Sequence, residues 1–149
     1  MREFLSKQIA IDVVQAGLAA GQTDPDSASV DMTGYDGVMF IGLLGAVTTT
    51  GTATIAAAQS SDDGVGDGFS VISGASAASN ADADADKLLI VDVLYPTKRY
   101  VRTTLTRAVA NTVWGGTLAI RYCAKSKPTT FTAAALAAAI AQVCAADEA

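Results

Sequence analysis

Apolar and polar positions alternate every second residue along much of this chain, the signature of strands with one buried face. Ile9, Ile11 and Val13 alternate with small or polar residues and predict a short strand near the start. Residues 29–32 predict another. Val38-Met39-Phe40-Ile41-Gly42-Leu43-Leu44 is a near-continuous apolar run between turn residues at 33–37 and 48–51. It is too short for a core helix and is predicted as a buried central strand. Residues 52–59 return, with Thr and Ile suited to a pleated surface. Residues 69–73 and 87–94 are two further strands. Along 99–106, Tyr100, Arg102, Thr104 and Thr106 share one face, and Val101, Thr103 and Leu105 the other. Along 116–123, Leu118, Ile120 and Tyr122 oppose Thr117, Ala119 and Arg121.

The connections carry turn chemistry. Residues 16–26 form a loop punctuated by Gly17, Gly21 and Asp24-Pro25. Residues 60–68, rich in Asp and Gly, and the low-complexity stretch 74–86 are predicted as surface loops. Pro96 starts a bend before Arg99, and 111–116, containing Trp114, is the last connection. Seven or eight strands without β-α-β alternation predict a mainly β protein. Its core is a single antiparallel sandwich or jelly-roll-like domain. The C-terminal part differs. Thr132 is an N-cap, Phe131 and Leu136 occupy the positions of a hydrophobic staple, and Leu136, Ile140, Val143 and Cys144 form one helical stripe among alanines. These features predict a short C-terminal α-helix, packed either on its own sandwich or on a partner subunit. The predicted organisation is an N-terminal arm (1–27), a β-sandwich (28–124), and a linker with the helix (125–149).

Of the 149 residues, 50% are hydrophobic but only 6% aromatic, and alanine supplies much of the rest. That fits one domain with a thin core and a subunit that leans on neighbours. No apolar run approaches membrane-spanning length, and residues 1–7 are too charged for a secretory signal, so a soluble product of the cytoplasm is expected. Cys123 and Cys144 lie in apolar surroundings and are expected to be small buried hydrophobes. With no histidine, a Cys/His zinc site is excluded.

Charge is divided along the chain. Residues 8–86 hold eleven Asp and no Lys or Arg, whereas Lys87 begins a stretch with eight basic residues against three acidic ones. Either the two parts neutralise each other within one fold, or they present an acidic and a basic face to oriented partners. The net charge of −5 disfavours nucleic acid as a partner.

Candidate chemistry is sparse. Asp82, Asp84 and Asp86 alternate in a way that suits Ca²⁺. An EF-hand counted from Asp82, however, would need Gly and Glu where Lys87 and Val93 stand, so no metal site is expected. Gly64-Val65-Gly66-Asp67-Gly68-Phe69 echoes calcium β-roll turns in a single copy and lacks the Lys-Ser/Thr of a phosphate loop. Histidine-dependent triads are impossible, and Asp62 and Asp63, adjacent on a turn, lack an aromatic sugar platform. Neither an enzyme nor a cofactor is expected.

Four segments, in order over roughly residues 30–123, resemble the small accessory proteins that decorate or cement tailed-bacteriophage heads. They are Gly34-Tyr35-Asp36-Gly37-Val38; Gly51-Thr52-Ala53-Thr54 leading to Gln59-Ser60-Ser61-Asp62-Asp63-Gly64; Lys98-Arg99-Tyr100-Val101-Arg102; and Gly115-Gly116-Thr117-Leu118-Ala119-Ile120-Arg121-Tyr122. The resemblance implies a non-enzymatic β-sandwich on the outer surface of an assembled capsid, made in the bacterial host cytoplasm. Its partners would be the major capsid protein and its own copies, as a dimer or trimer. Lys98, Arg99, Arg102, Phe131, Leu136, Ile140 and Val143, with the first part of the chain, are the expected contact surface. Other virion components (tail-tube, head-completion or fibre-base proteins) share this architecture, and a carbohydrate- or calcium-binding β-module is the remaining alternative.

Overall fold

The computed structural model describes residues 4–79 and 81–131. Among these run nine strands: β1 (Ala10–Gln15), β2 (Leu18–Gly21), β3 (Val30–Asp31), β4 (Tyr35–Val47), β5 (Thr52–Ser60), β6 (Ser70–Ala78), β7 (Leu88–Leu94), β8 (Tyr100–Ala108) and β9 (Thr112–Ala124). They form two antiparallel sheets packed as a sandwich, as the alternation predicts. The first has the order β1-β9-β4-β7, with β2 also pairing β9, and the second has the order β3-β8-β5-β6.

Alternate side chains of both sheets meet in the middle. Val38, Phe40 and Leu44 of β4, and Leu89, Val91 and Val93 of β7, face Ile55 of β5 and Val101 and Leu105 of β8. Trp114 of β9 is the largest buried side chain. Its indole N–H donates to Thr117 Oγ1 at 3.1 Å, and that hydroxyl in turn donates to Gln15 Oε1 at 3.1 Å. Ala53, Ala57 and Ala119 are fully enclosed, and such small side chains make the thin core that the composition predicts.

Several sequence-based expectations are corrected. Residues 74–86 are not one long loop. β6 continues to Ala78, paired with β5, and Ala81–Asp84 form a 3-10 turn. Small Ser and Ala residues tolerate an edge strand as well as a loop, so composition does not separate the two. Residues 111–116 are not a connection either. β9 begins at Thr112, and the reversal falls at Val109, which has φ +69°. Residues 16–26 contain β2, and Phe69 lies just outside β6. Cys123 is exposed rather than buried. The predicted helix, with Leu136, Ile140, Val143 and Cys144, lies outside the described residues.

From β1 onward the N-terminal arm is part of the body. β1 fills the edge beside β9, from Ala10 opposite Arg121 to Gln15 opposite Thr117. Arg107, 4% exposed, pins the rest of the arm. Its Nη1 donates to the carbonyls of Ala19 and Thr112 at 2.8 Å each, Nε to the carbonyl of Thr23 at 3.1 Å, and Nη2 to the Thr23 hydroxyl. The Arg107 amide donates to Asp24 at 2.8 Å.

Candidate interaction surfaces

The divided charge resolves into pairs within one molecule. Asp12–Arg121 (2.8 Å), Asp26–Arg102 (2.7 Å), Asp31–Arg99 (2.6 Å), Asp36–Lys125 (3.3 Å), Asp67–Lys98 (2.7 Å) and Asp84–Lys87 (2.9 Å) each join the acidic stretch to the basic one. All three basic residues expected to contact a partner are thereby engaged by a carboxylate of their own chain. Arg102 also lies over the Phe69 ring, 4.1 Å from its centroid. The hydrogen bonds from Arg99 hold the Asp31 carboxyl far below the usual carboxylate range.

The 60–68 loop closes on itself. Asp62 accepts from the amides of Gly66 and Asp67, which lower its pKa. Asp67 accepts from Lys98 Nζ and from the amide and hydroxyl of Ser61, and is pulled down to about 2. With these oxygens already engaged by N–H and O–H donors, the loop is a self-capped turn rather than a waiting calcium cradle. Among the described residues no group of three or more His, Cys, Asp or Glu is placed to hold a metal ion, and no helix is long and apolar enough to cross a membrane.

At one end of the sandwich an open cleft of about 570 Å³ is lined by Tyr35, Asp36, Tyr95, Lys98, Arg99 and Lys125. Its charged groups are largely spoken for. Asp36 pairs Lys125, and Lys98 and Arg99 pair outside the cleft. Such an arrangement recognises little by charge.

The two outer faces of the sandwich contrast sharply. On the β3-β8-β5-β6 sheet, the outward row of β8 is Tyr100, Arg102, Thr104 and Thr106, beside Thr54 of β5. On the other sheet the outward rows are aliphatic. Val13, Leu118, Ile41 and Ile90 lie in register across all four strands, and Ile11, Ile120 and Met39 form the next row. Leu43 sits opposite Leu88. Val13 is 57% exposed, Leu88 53%, Ile90 48% and Leu43 45%, so among the described residues nothing covers this surface. A shallow depression of about 390 Å³ opens between Val13, Ile41, Leu43, Leu88 and Leu118. The apolar row ends at Asp92, whose carboxylate accepts from the Tyr122 hydroxyl at 2.6 Å. Burial, reinforced by that hydrogen bond, pushes the Tyr122 phenol above its ordinary value.

Sequence reasoning misses this face, although its signal is in the chain. The near-continuous apolar runs at 38–44 and 88–94, and Leu118 and Ile120 opposite the inward Ala119, supply more apolar side chains than one inner face accepts. Of the residues expected to make contacts, Phe131 is half-buried at the end of the described chain. There, the Thr129 hydroxyl donates to the carbonyl of Ile9 at 2.6 Å. No family model matches the chain, and no curated protein does.

Proposed function

We propose that this chain is a non-enzymatic structural component of a tailed-phage particle, binding the outer surface of an assembled capsid and stabilising it as a decoration or cement protein. The observation that carries the reading is the two-faced sandwich. One broad sheet face is aliphatic and exposed, while on the opposite face the outward row of β8 is polar, with Arg102 ion-paired to Asp26. A subunit that works in a layer needs one surface to be covered and one to meet water, and it needs no converging reactive groups. The four segments of the resemblance fall in this one body. They form the turn into β4, the start of β5 with the self-capped loop, the start of β8, and the middle of β9. In this role the protein contributes binding energy shared over many copies, which resists internal pressure by avidity. The partners are the major capsid protein and other copies of the chain, on the capsid surface of a virion assembled in the bacterial host.

The test is co-sedimentation of the purified protein with capsids that lack it. Saturable binding at a copy number matching the lattice is the expected outcome. Absence of binding, with the protein instead forming a closed ring or travelling with tails, would replace this reading with that of a tail-tube, head-completion or fibre-base component.

A further inference from the structure

We infer that the bare aliphatic face of the β1-β9-β4-β7 sheet is the interface between two copies of this chain. Val13, Leu43, Leu88, Ile90 and Leu118 are each 39–57% exposed, together on the order of 400 Å² of apolar surface, the size of the largest patch on a typical monomer and about half of one side of a standard interface.

The chemistry of the face favours a second copy. Two-fold contact requires a surface complementary to itself, and a row of Val13, Leu118, Ile41 and Ile90 satisfies that in either direction. Copies that each carry −5 repel wherever acidic surfaces meet. Among the described residues of these rows the one charged side chain is Asp92, at the end of a row and hydrogen-bonded by Tyr122, so carboxylates need not be brought together. Sheets also pack face to face readily, with branched aliphatic side chains interdigitating between layers about 10 Å apart. The result is a four-layered dimer with both ion-paired faces outward. This goes beyond the virion reading: the aliphatic face is covered by a second copy, and the shell is left to the strand ends and the outward faces of the dimer.

Sedimentation velocity on the full chain at micromolar concentration tests it. The wild type is expected as a dimer, and Leu118→Glu and Ile90→Glu each raise the dimer Kd about 100-fold by placing an unpaired charge in the contact. Thr106→Glu, exposed on the opposite sheet, leaves the dimer intact. Emission from buried Trp114 reports whether each variant is folded. If a glutamate variant unfolds, Leu118→Ala and Ile90→Ala serve in its place, with about a 10-fold weaker dimer expected. A wild type that stays monomeric, or a dimer indifferent to these substitutions, overturns the inference. A monomer that still saturates capsids would overturn this inference alone, and a dimer that ignores capsids would overturn the virion reading alone.

Discussion

At the scale of single residues, Arg107 does what no apolar side chain does. Strand β8 alternates Val101, Thr103 and Leu105 inward, and the same phase carries Arg107 inward. Alternation read from sequence ends this strand at Thr106, because a basic residue in the inward phase looks like a boundary. Its guanidinium is instead the buried hub for carbonyls from both β2 and β9 and from the segment between β2 and β3. Five donors in a fixed fork match that geometry, and an ammonium does not. Arg107→Met keeps much of the volume and removes every donor, leaving the buried Thr112 carbonyl and the part-buried carbonyls of Ala19 and Thr23 without it. It should cost about 3 kcal/mol, read as a lower urea midpoint at unchanged slope. Arg107→Lys should recover less than half of that loss. Equal stability of Met and wild type would show that the arm is held by its backbone pairing alone.

At the scale of elements, strand existence was legible and strand ends were not. The apolar run at 38–44 is β4, the alternation at 99–106 is most of β8, and 88–94 is β7. Failures fall where small residues blur the pattern, as in the Ser/Ala part of β6, or where a large residue sits among turn formers, as with Trp114. Glycine links β4 to β9. In β4, Gly42 sits under the Trp114 ring, and a Cβ there would lie 2.3 Å from its Cζ2. In the same strand Gly37 lies under Tyr122, where a Cβ would meet the ring at 2.2 Å. The two clashes look alike but differ in escape. Trp114 is enclosed by the core, whereas Tyr122 is only partly buried and would meet the new Cβ with the far end of its ring. Gly42→Ala should therefore cost about 2 kcal/mol and alter the near-ultraviolet circular dichroism of Trp114, while Gly37→Ala should cost under about 1 kcal/mol. Similar losses at both positions would mean that Tyr122 is held as firmly as the core. The bare sheet face belongs to this scale as well. Period-two reading assigns a side chain to one of two faces, and it takes the pairing of four strands to show that an aliphatic set lies outside.

For the whole molecule, charge divided along the sequence becomes charge neutralised in space, and this fixes how stability depends on pH. Asp31, Asp62 and Asp67 are all held below the ordinary carboxylate value by hydrogen bonds that exist only in the folded chain. A depressed folded value means that the unfolded chain takes up protons first on acidification. The stabilisation is thus complete above the unfolded value of about 3.9 and drains away as pH falls toward the folded values. Asp67 loses its share as pH falls toward about 2, and Asp31 loses its share lower still. On the neutral side the sequence offers no histidine to titrate. The urea midpoint should accordingly be flat from about pH 5 to 8 and fall steadily below about pH 4. Replacing Asp31 and Asp67 together by Asn should lower the plateau and flatten the acid limb, because the unfolded chain then has fewer protons to gain. Asp31 and Asp67 take their largest shifts from partly exposed ion pairs with Arg99 and Lys98, so the slope should be shallow. The limb reports carboxylates committed to donors at the ends of strands, where the acidic half of the chain is stitched to the basic half. A midpoint that rises on acidification, or an acid limb unchanged in the double variant, would show that these carboxylates are spectators and that the sandwich is held by its apolar layers without them.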